Sequence, residues 1–203
     1  VKLYSSLASP FARKVRVCAR ELGLAARLEE INTAVLPQQP NRELMKVNPL
    51  IKLPALVADD GLVLFDSPVI CEYLDALAGG GRLFPSGGAA RWSALRLQAL
   101  ADGILDAAIL CRYETVMRPQ ELRWSDWIDG QKTKWHEGLD FLEREAASLH
   151  GDPTIGSITA ACALGWLDFR WGEDDWRQGR PGLAAWYERF AARASMQDTL
   201  PRA

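Results

Sequence analysis

Apolar positions along this chain follow two regimes. Up to about residue 78 they switch between a period of two and a period of 3.6; beyond about residue 88 only the longer period persists. Lys2-Leu3-Tyr4-Ser5 predicts a short strand. Val15, Cys18, Ala19 and Leu22 fall at i, i+3, i+4 and i+7, one apolar helix face, and Gly23 is placed to stop that helix. Arg27 to Asn32 alternates like a strand. Asn41 to Val47 predicts a short helix ending near Asn48-Pro49. Ala55 to Ala58 and Leu62 to Phe65 flank Asp59-Asp60-Gly61, the pattern of a β-hairpin with an Asp-Gly turn. Val69, Ile70, Tyr73, Leu74 and Leu77 mark another helix. The order β-α-β-α-β-β-α predicts a mixed sheet with helices on both faces.

The second half reads as helix almost throughout. Ala89 to Met117 is one long candidate, ended near Arg118-Pro119. Glu121 to Leu149 is a second, carrying Trp124, Ile128, Trp135, Leu139 and Leu142. Thr154 to Phe169 is apolar nearly all round, with small residues at Ala160-Ala161-Cys162-Ala163, so it belongs in a domain centre. Pro181 opens a last amphipathic helix with Leu183, Trp186, Tyr187 and Phe190 on one side. All eight tryptophans lie after residue 90. Gly79-Gly80-Gly81 and Pro85-Ser86-Gly87-Gly88 supply a linker. The expected class is therefore α+β in two domains: residues 1–78 with the sheet, a linker at 79–88, and an all-α domain at 89–203.

Composition narrows the function classes. Of 203 residues 48% are hydrophobic and 25% charged, with a net charge of −2, so the chain can bury a sizeable core. No basic stripe favours a nucleic-acid partner, and no apolar run reaches the roughly 18 residues of a membrane span. No signal-peptide pattern stands at the start, where Val1 leads directly into strand-like sequence, as after removal of an initiator Met. Cys18, Cys71, Cys111 and Cys162 form no close pair and sit among apolar residues. They read as buried reduced thiols of a cytoplasmic protein, with no support for a metal site. His136 and His150 are isolated and no G-x-S-x-G accompanies them, so a Ser-His-Asp hydrolase has no footing.

The candidate chemistry lies in Ser9-Pro10-Phe11 and Asp66-Ser67-Pro68. In each, Ser stands where an N-cap is wanted and Pro follows at the first helical position. Helix N-termini offer free N–H groups and partial positive charge. Two of them side by side would hold a thiolate at one and a carboxylate at the other. The plain alternative is two caps and nothing more. A thiol of pKa roughly 8.5 is only a few per cent ionised at neutral pH. Lowering it by about two units would leave roughly three quarters ionised, for about 2.7 kcal/mol. Ser9 would supply a hydrogen bond to that sulfur and Asp66 would pair with an ammonium group. Leu53-Pro54, at a strand start, is either a tolerated proline or a cis bond that offers the Leu53 N–H and C=O to a peptide backbone.

Four stretches carry a resemblance: Ser9-Pro10-Phe11-Ala12-Arg13-Lys14-Val15, Asn48-Pro49-Leu50-Ile51-Lys52-Leu53-Pro54-Ala55-Leu56, Phe65-Asp66-Ser67-Pro68-Val69-Ile70-Cys71-Glu72-Tyr73-Leu74 and Ala163-Leu164-Gly165-Trp166-Leu167-Asp168-Phe169-Arg170. In this order and spacing the chain resembles the cytosolic glutathione S-transferases over essentially its full length, in a bacterial branch with a Ser-Pro-Phe motif. The resemblance implies a thioredoxin-like N-terminal domain, an all-α C-terminal domain, a homodimer, and glutathione as co-substrate conjugated to a small electrophile. It places Ser9 at the thiol-activating position, Leu53 and Pro54 at the cis-proline site for the cysteinyl backbone, and Asp66 and Ser67 at the γ-glutamyl end. Phe11 and Lys52 are expected neighbours, and Asp102 either reaches across the dimer to the γ-glutamyl ammonium or is a solvated helix residue. Ser at position 9, not Cys, disfavours a mixed disulfide. A glutathione-dependent isomerase or peroxidase and a non-catalytic binding protein of the same fold remain alternatives. Tyr113, Trp166 and Trp171 are candidates for an acceptor pocket between the domains. One departure concerns the family's central helix, usually opened by Ser or Thr followed three residues later by Asp. Here Thr154 is followed by Ser157, which predicts a slightly weaker cap.

Overall fold

The computed structural model describes residues 1–202. Its first half is a four-stranded sheet of order β2-β1-β3-β4, with β1 Lys2–Ser5, β2 Glu29–Asn32, β3 Ala55–Val57 and β4 Val63–Leu64. β1 pairs parallel with β2 and antiparallel with β3, and β3 pairs antiparallel with β4. Helices α1 (Pro10–Glu21), α2 (Arg42–Met45) and α3 (Ser67–Leu77) complete the thioredoxin-like half. The second half is helical: α4 (Gly88–Arg112), α5 (Ser125–Arg144), α6 (Ile155–Arg170), α7 (Pro181–Ala191) and α8 (Ala194–Gln197).

α1 forms where the pattern expects it. Ser9 caps it, accepting from the Ala12 N–H at 3.2 Å, and Pro10 sits at the first helical position. Gly23, at φ +74, ends it: the Gly23 N–H bonds to Arg20 C=O and the Leu24 N–H to Ala19 C=O, the Schellman arrangement. Three cations of this helix, Arg13, Lys14 and Arg16, are nonetheless buried. Arg13 and Lys14 face the other half of the molecule, while Arg16 lies 3.9 Å from Glu30 of β2. Arg13 donates to Met196 C=O at 3.1 Å and Lys14 pairs with Asp102.

Several boundaries differ from the sequence reading. β2 starts at Glu29, because Ala25–Arg27 closes into a 3₁₀ turn. The short helix before Asn48 covers only Arg42–Met45, capped by the Asn41 side chain. Asp66, not Ser67, occupies the N-cap position of α3, without a side-chain capping bond; Ser67 is the first helical residue and Pro68 the second. α4 runs on through a single π-helical turn, Tyr113–Met117, and stops before Pro119. The next long helix starts at Ser125, not Glu121. Gln120–Leu122 is a separate 3₁₀ turn, and the buried Glu114 carboxylate takes the Trp124 N–H at 2.9 Å and Arg118 at 2.7 Å. α5 ends at Arg144, and Ala146–Leu149 is again 3₁₀. α8 was not foreseen.

α6 is buried from Ile155 to Leu167 and forms the centre of the helical half. The Thr154–Ser157 capping box is complete, with Thr154 N–H to Ser157 Oγ at 2.9 Å and Ser157 N–H to Thr154 Oγ1 at 3.3 Å. The glycine-rich connection is anchored. Buried Asp75 accepts from the Gly81 and Leu83 N–H groups, both at 2.8 Å, and Leu83 and Phe84 plug into the core. One continuous apolar core runs from Leu3, Leu56 and Ile70 to Ala101, Leu164 and Leu183. All four cysteines are free and buried. Among the described residues no helix is long and apolar enough to cross a membrane.

Candidate functional site

Topology alone brings the three motifs to one edge of the sheet. β3 lies between β1 and β4 and is antiparallel to both, so β1 and β4 run the same way. α1 leaves the end of β1 at Ser9 and α3 leaves the end of β4 at Asp66, so both helix N-termini open at the same edge. β3 begins at that edge too, just after Leu53-Pro54. Adjacent strands are roughly 4.8 Å apart. Ser9, Leu53 and Asp66 therefore stand in a row about 10 Å long, close to the span of an extended tripeptide.

Each position has a free group. The Ser9 hydroxyl accepts from Ala12 but donates to nothing among the described residues, which leaves its proton for a ligand. Leu53-Pro54 is cis, and neither the N–H nor the C=O of Leu53 has a partner among the described residues. The preceding loop is held by Asn48, only 1% exposed, whose amide donates to Lys52 C=O at 2.9 Å and whose carbonyl accepts from the Leu50 N–H at 3.0 Å. Ile51 in that loop has φ +54, a rare conformation for a β-branched side chain. Phe65-Asp66 is a second cis peptide bond. Asp66 is exposed and in no ion pair, and the buried Ser67 residue has a hydroxyl without an intrachain partner among the described residues. Lys52 is also exposed and forms no ion pair among the described residues. Phe11 is half-buried with Lys14 Nζ 6.0 Å from its ring centre.

Asp102 is engaged within its own chain. Lys14 Nζ touches both carboxylate oxygens, at 2.7 and 2.8 Å, with Lys14 1% and Asp102 18% exposed at the side chain. Burial pushes the Asp102 carboxyl above the ordinary 3.8, against the pull of Lys14, and the charges of Asp106 and Asp66 add to the rise. Asp106, one turn on, is raised for the same first reason, with Lys52 opposing and Asp66 adding. Asp66, Asp102, Asp106, Lys14 and Lys52 thus form one charge cluster at the mouth of α3. Sequence reasoning missed Lys14, Asn48 and Asp106. The i, i+4 spacing of Asp102 and Asp106 was the available signal for Asp106; Lys14 and Asn48 gave none, since their partners lie in other elements or in a loop of irregular shape.

The opposite wall comes from the helical half. Trp166 of α6 donates from Nε1 to Ala8 C=O at 3.1 Å and so holds the loop that carries Ser9. Tyr113 is exposed beside the end of α4, its phenol raised above 10.0 by partial burial. Trp171 turns the other way, packing at a tilt against Trp135 with ring centres 5.0 Å apart and with Lys132 Nζ 5.7 Å from its own ring.

Comparison with known proteins decides the family. Residues 8–77 match the model of the glutathione S-transferase N-terminal domain, and residues 125–189 that of the C-terminal domain. The uncharacterized GST-like protein YibF of Escherichia coli K12 is 33% identical over 99% of this chain and 98% of its own length. The chain belongs to the glutathione S-transferase family. A crystal structure of a glutathione transferase family member from Pseudomonas fluorescens Pf-5, with bound glutathione, is 46% identical over 100% of this chain and 99% of that one, with a TM-score of 0.95. A second structure from the same source, with bound S-(propanoic acid)-glutathione, is 45% identical over the whole of both chains, with a TM-score of 0.90.

Proposed function

We propose that this glutathione S-transferase family member is an active transferase that binds glutathione across the sheet edge and delivers its thiolate to a small electrophile. The alignment of three free polar sites on one edge, at Ser9, Leu53 and Asp66-Ser67, carries this reading. The Pseudomonas relatives that hold glutathione and a glutathione S-conjugate support it. In this reading residues 1–78 form the glutathione-binding domain, 79–88 the linker and 89–203 the helical domain. The protein works as a cytoplasmic homodimer of a bacterial branch marked by Ser-Pro-Phe.

The roles follow from the free groups. The Ser9 O–H donates to the sulfur, and the α1 N-terminus adds partial positive charge. The Leu53 N–H and C=O pair with the cysteinyl backbone, as a strand edge does. The α3 N-terminus and the Ser67 hydroxyl take the γ-glutamyl carboxylate, and Asp66 its ammonium. Phe11 and Lys52 flank the tripeptide. The two oxygens of Asp102 keep acceptor capacity beyond the bonds to Lys14, which suits a contact to the ammonium across a dimer. The thiolate then attacks the electrophilic carbon: the C–S bond forms as a leaving group departs with its electron pair, or as a π bond opens and its carbon takes a proton from water. Proximity and a sulfur already ionised supply the rate.

Calorimetric titration with glutathione should show binding at micromolar to low millimolar concentration. The ultraviolet thiolate absorbance of the bound tripeptide then tests Ser9. In Ser9→Ala at pH 7 the thiolate fraction should fall severalfold, towards the few per cent of free glutathione. An unchanged fraction would transfer the role of Ser9 to the helix amides, and no binding would overturn the transferase reading.

A further inference from the structure

The helical wall of the site carries two arginines that hold no acid among the described residues. Gly156 of α6 lies against Ala94 and Leu97 of α4 and the Ile155 N–H bonds to Leu83 C=O just ahead of α4, while at the far ends Arg170 feels the charge of Arg112, so the two helices run in the same direction. This places Arg170, the last residue of α6, near Arg112, the last residue of α4. Arg170 is one turn beyond Trp166, about 6 Å along the axis, on the side of α6 that meets the Ser9 loop and the α4 seam. Arg112 stands at the seam from the other helix. Its neighbour Tyr113 continues the Asp102–Asp106 stripe towards the open mouth.

Neither guanidinium forms an ion pair or hydrogen bond among the described residues. Elsewhere in this half Arg96, Arg118, Arg177, Arg180 and Arg193 each hold a carboxylate, whereas Arg123 donates to a carbonyl, Arg144 lies over the Phe141 ring and Arg189 meets His150. Arg170 lies over the Phe169 ring at 3.9 Å, which leaves its N–H edge free. It is drawn below the ordinary arginine value first by partial burial and then by the charge of Arg112, so the two cations feel one another. A helix C-terminus favours a cation in its last turn, which explains Arg170 at the end of α6 but not Arg112, past which α4 runs on through Tyr113–Met117. It does not explain two like charges brought together, partly desolvated, with no acid between them, at the mouth where an acceptor would enter.

We propose that Arg112 and Arg170 receive a carboxylate on the electrophile, so that the acceptor class is an unsaturated or halogenated carboxylic acid. This rests on the glutathione transferase reading above and names the substrate class of that site. With an α,β-unsaturated acid the sulfur bonds to the β-carbon, the C=C π bond opens, and the α-carbon takes a proton from water. The product is an S-(carboxyalkyl)glutathione. The planar guanidinium fork suits such a group better than an ammonium would.

Calorimetric titration with three ligands tests it: glutathione, S-(2-carboxyethyl)glutathione, and the neutral match S-(2-carbamoylethyl)glutathione. The wild type should bind the acid about tenfold more tightly than the amide. That preference should shrink with added salt. Arg112→Gln and Arg170→Gln should each remove part of the preference, and the double variant should bring the ratio near one with glutathione affinity unchanged. Glutathione binding with no preference in the wild type overturns the proposal and leaves the transferase reading standing. A preference that survives in the double variant overturns the assignment to these arginines. Failure to bind glutathione at all overturns both readings.

Discussion

Lys14 is almost wholly removed from water, and among the described residues only Asp102 pairs with it. A buried charge left without its partner is costly, of order 3 kcal/mol, whereas an exposed pair is worth about 0–1 kcal/mol. Asp102→Asn should therefore lower stability by about 3 kcal/mol in chemical denaturation. Glu43→Gln, which breaks the exposed pair with Lys46, should stay within about 0.5 kcal/mol of the parent. Asp102→Asn within that smaller margin would show that Lys14 is not held by this pair. At this scale the sequence was legible wherever the signal was local. Ser9 could be read as a cap because the hydroxyl, Pro10 and the apolar stripe are consecutive. Asp66-Ser67-Pro68 offers two adjacent capping residues, and Asp66 took the cap position, displacing Ser67 by one. Lys14 was illegible as a site residue because its partner lies 88 positions away.

The central helix α6 shows what an element's end and its packing face each contribute. Its capping box is closed with Ser157 in place of the family's Asp, so both N-terminal donors are satisfied without a charge. Thr154→Ala should cost about 1 kcal/mol, read as a lower midpoint in urea; an unchanged midpoint would refute the cap. Gly156 serves the packing face. A Cβ there would come within 2.7 Å of both Ala94 C=O and Leu97 Cβ, and Ala94 C=O is backbone. Gly156→Ala should accordingly destabilise by about 1–3 kcal/mol through overpacking, although alanine favours an isolated helix. A neutral or stabilised Gly156→Ala would mean that α4 and α6 can separate freely. The apolar run from Ile155 made α6 legible as central, and periodicity located every helix of four turns or more. It overran where an end is set by tertiary contact. Glu121 to Trp124 continues the helical pattern, yet the buried Glu114 carboxylate takes the Trp124 N–H and starts α5 one residue later.

Across the whole molecule the two halves are tied by α1, whose last residue reaches the far end of the chain. Glu21 accepts from Arg193 at 2.8 and 2.9 Å and from the Ser195 hydroxyl, joining α1 to the start of α8. The Arg193 hydrogen bond first, with help from Ser195 and against burial, holds the Glu21 carboxyl below the ordinary 4.5. A carboxyl depressed in the folded state binds fewer protons there than in the unfolded chain. Its stabilisation is thus fully present above about pH 4.5 and is lost as the pH falls through the folded value. Glu21→Gln keeps the shape but removes this titration. It should be less stable than the parent by about 1–2 kcal/mol at pH 7, since hydrogen bonds to a charged acceptor are lost. Because the other carboxyls are common to both proteins, the gap between their denaturation midpoints isolates Glu21. It should stay constant from pH 7 to about pH 5 and then narrow towards pH 3. A gap that stays constant to pH 3 would show that the clasp between α1 and α8 works through shape and not through charge.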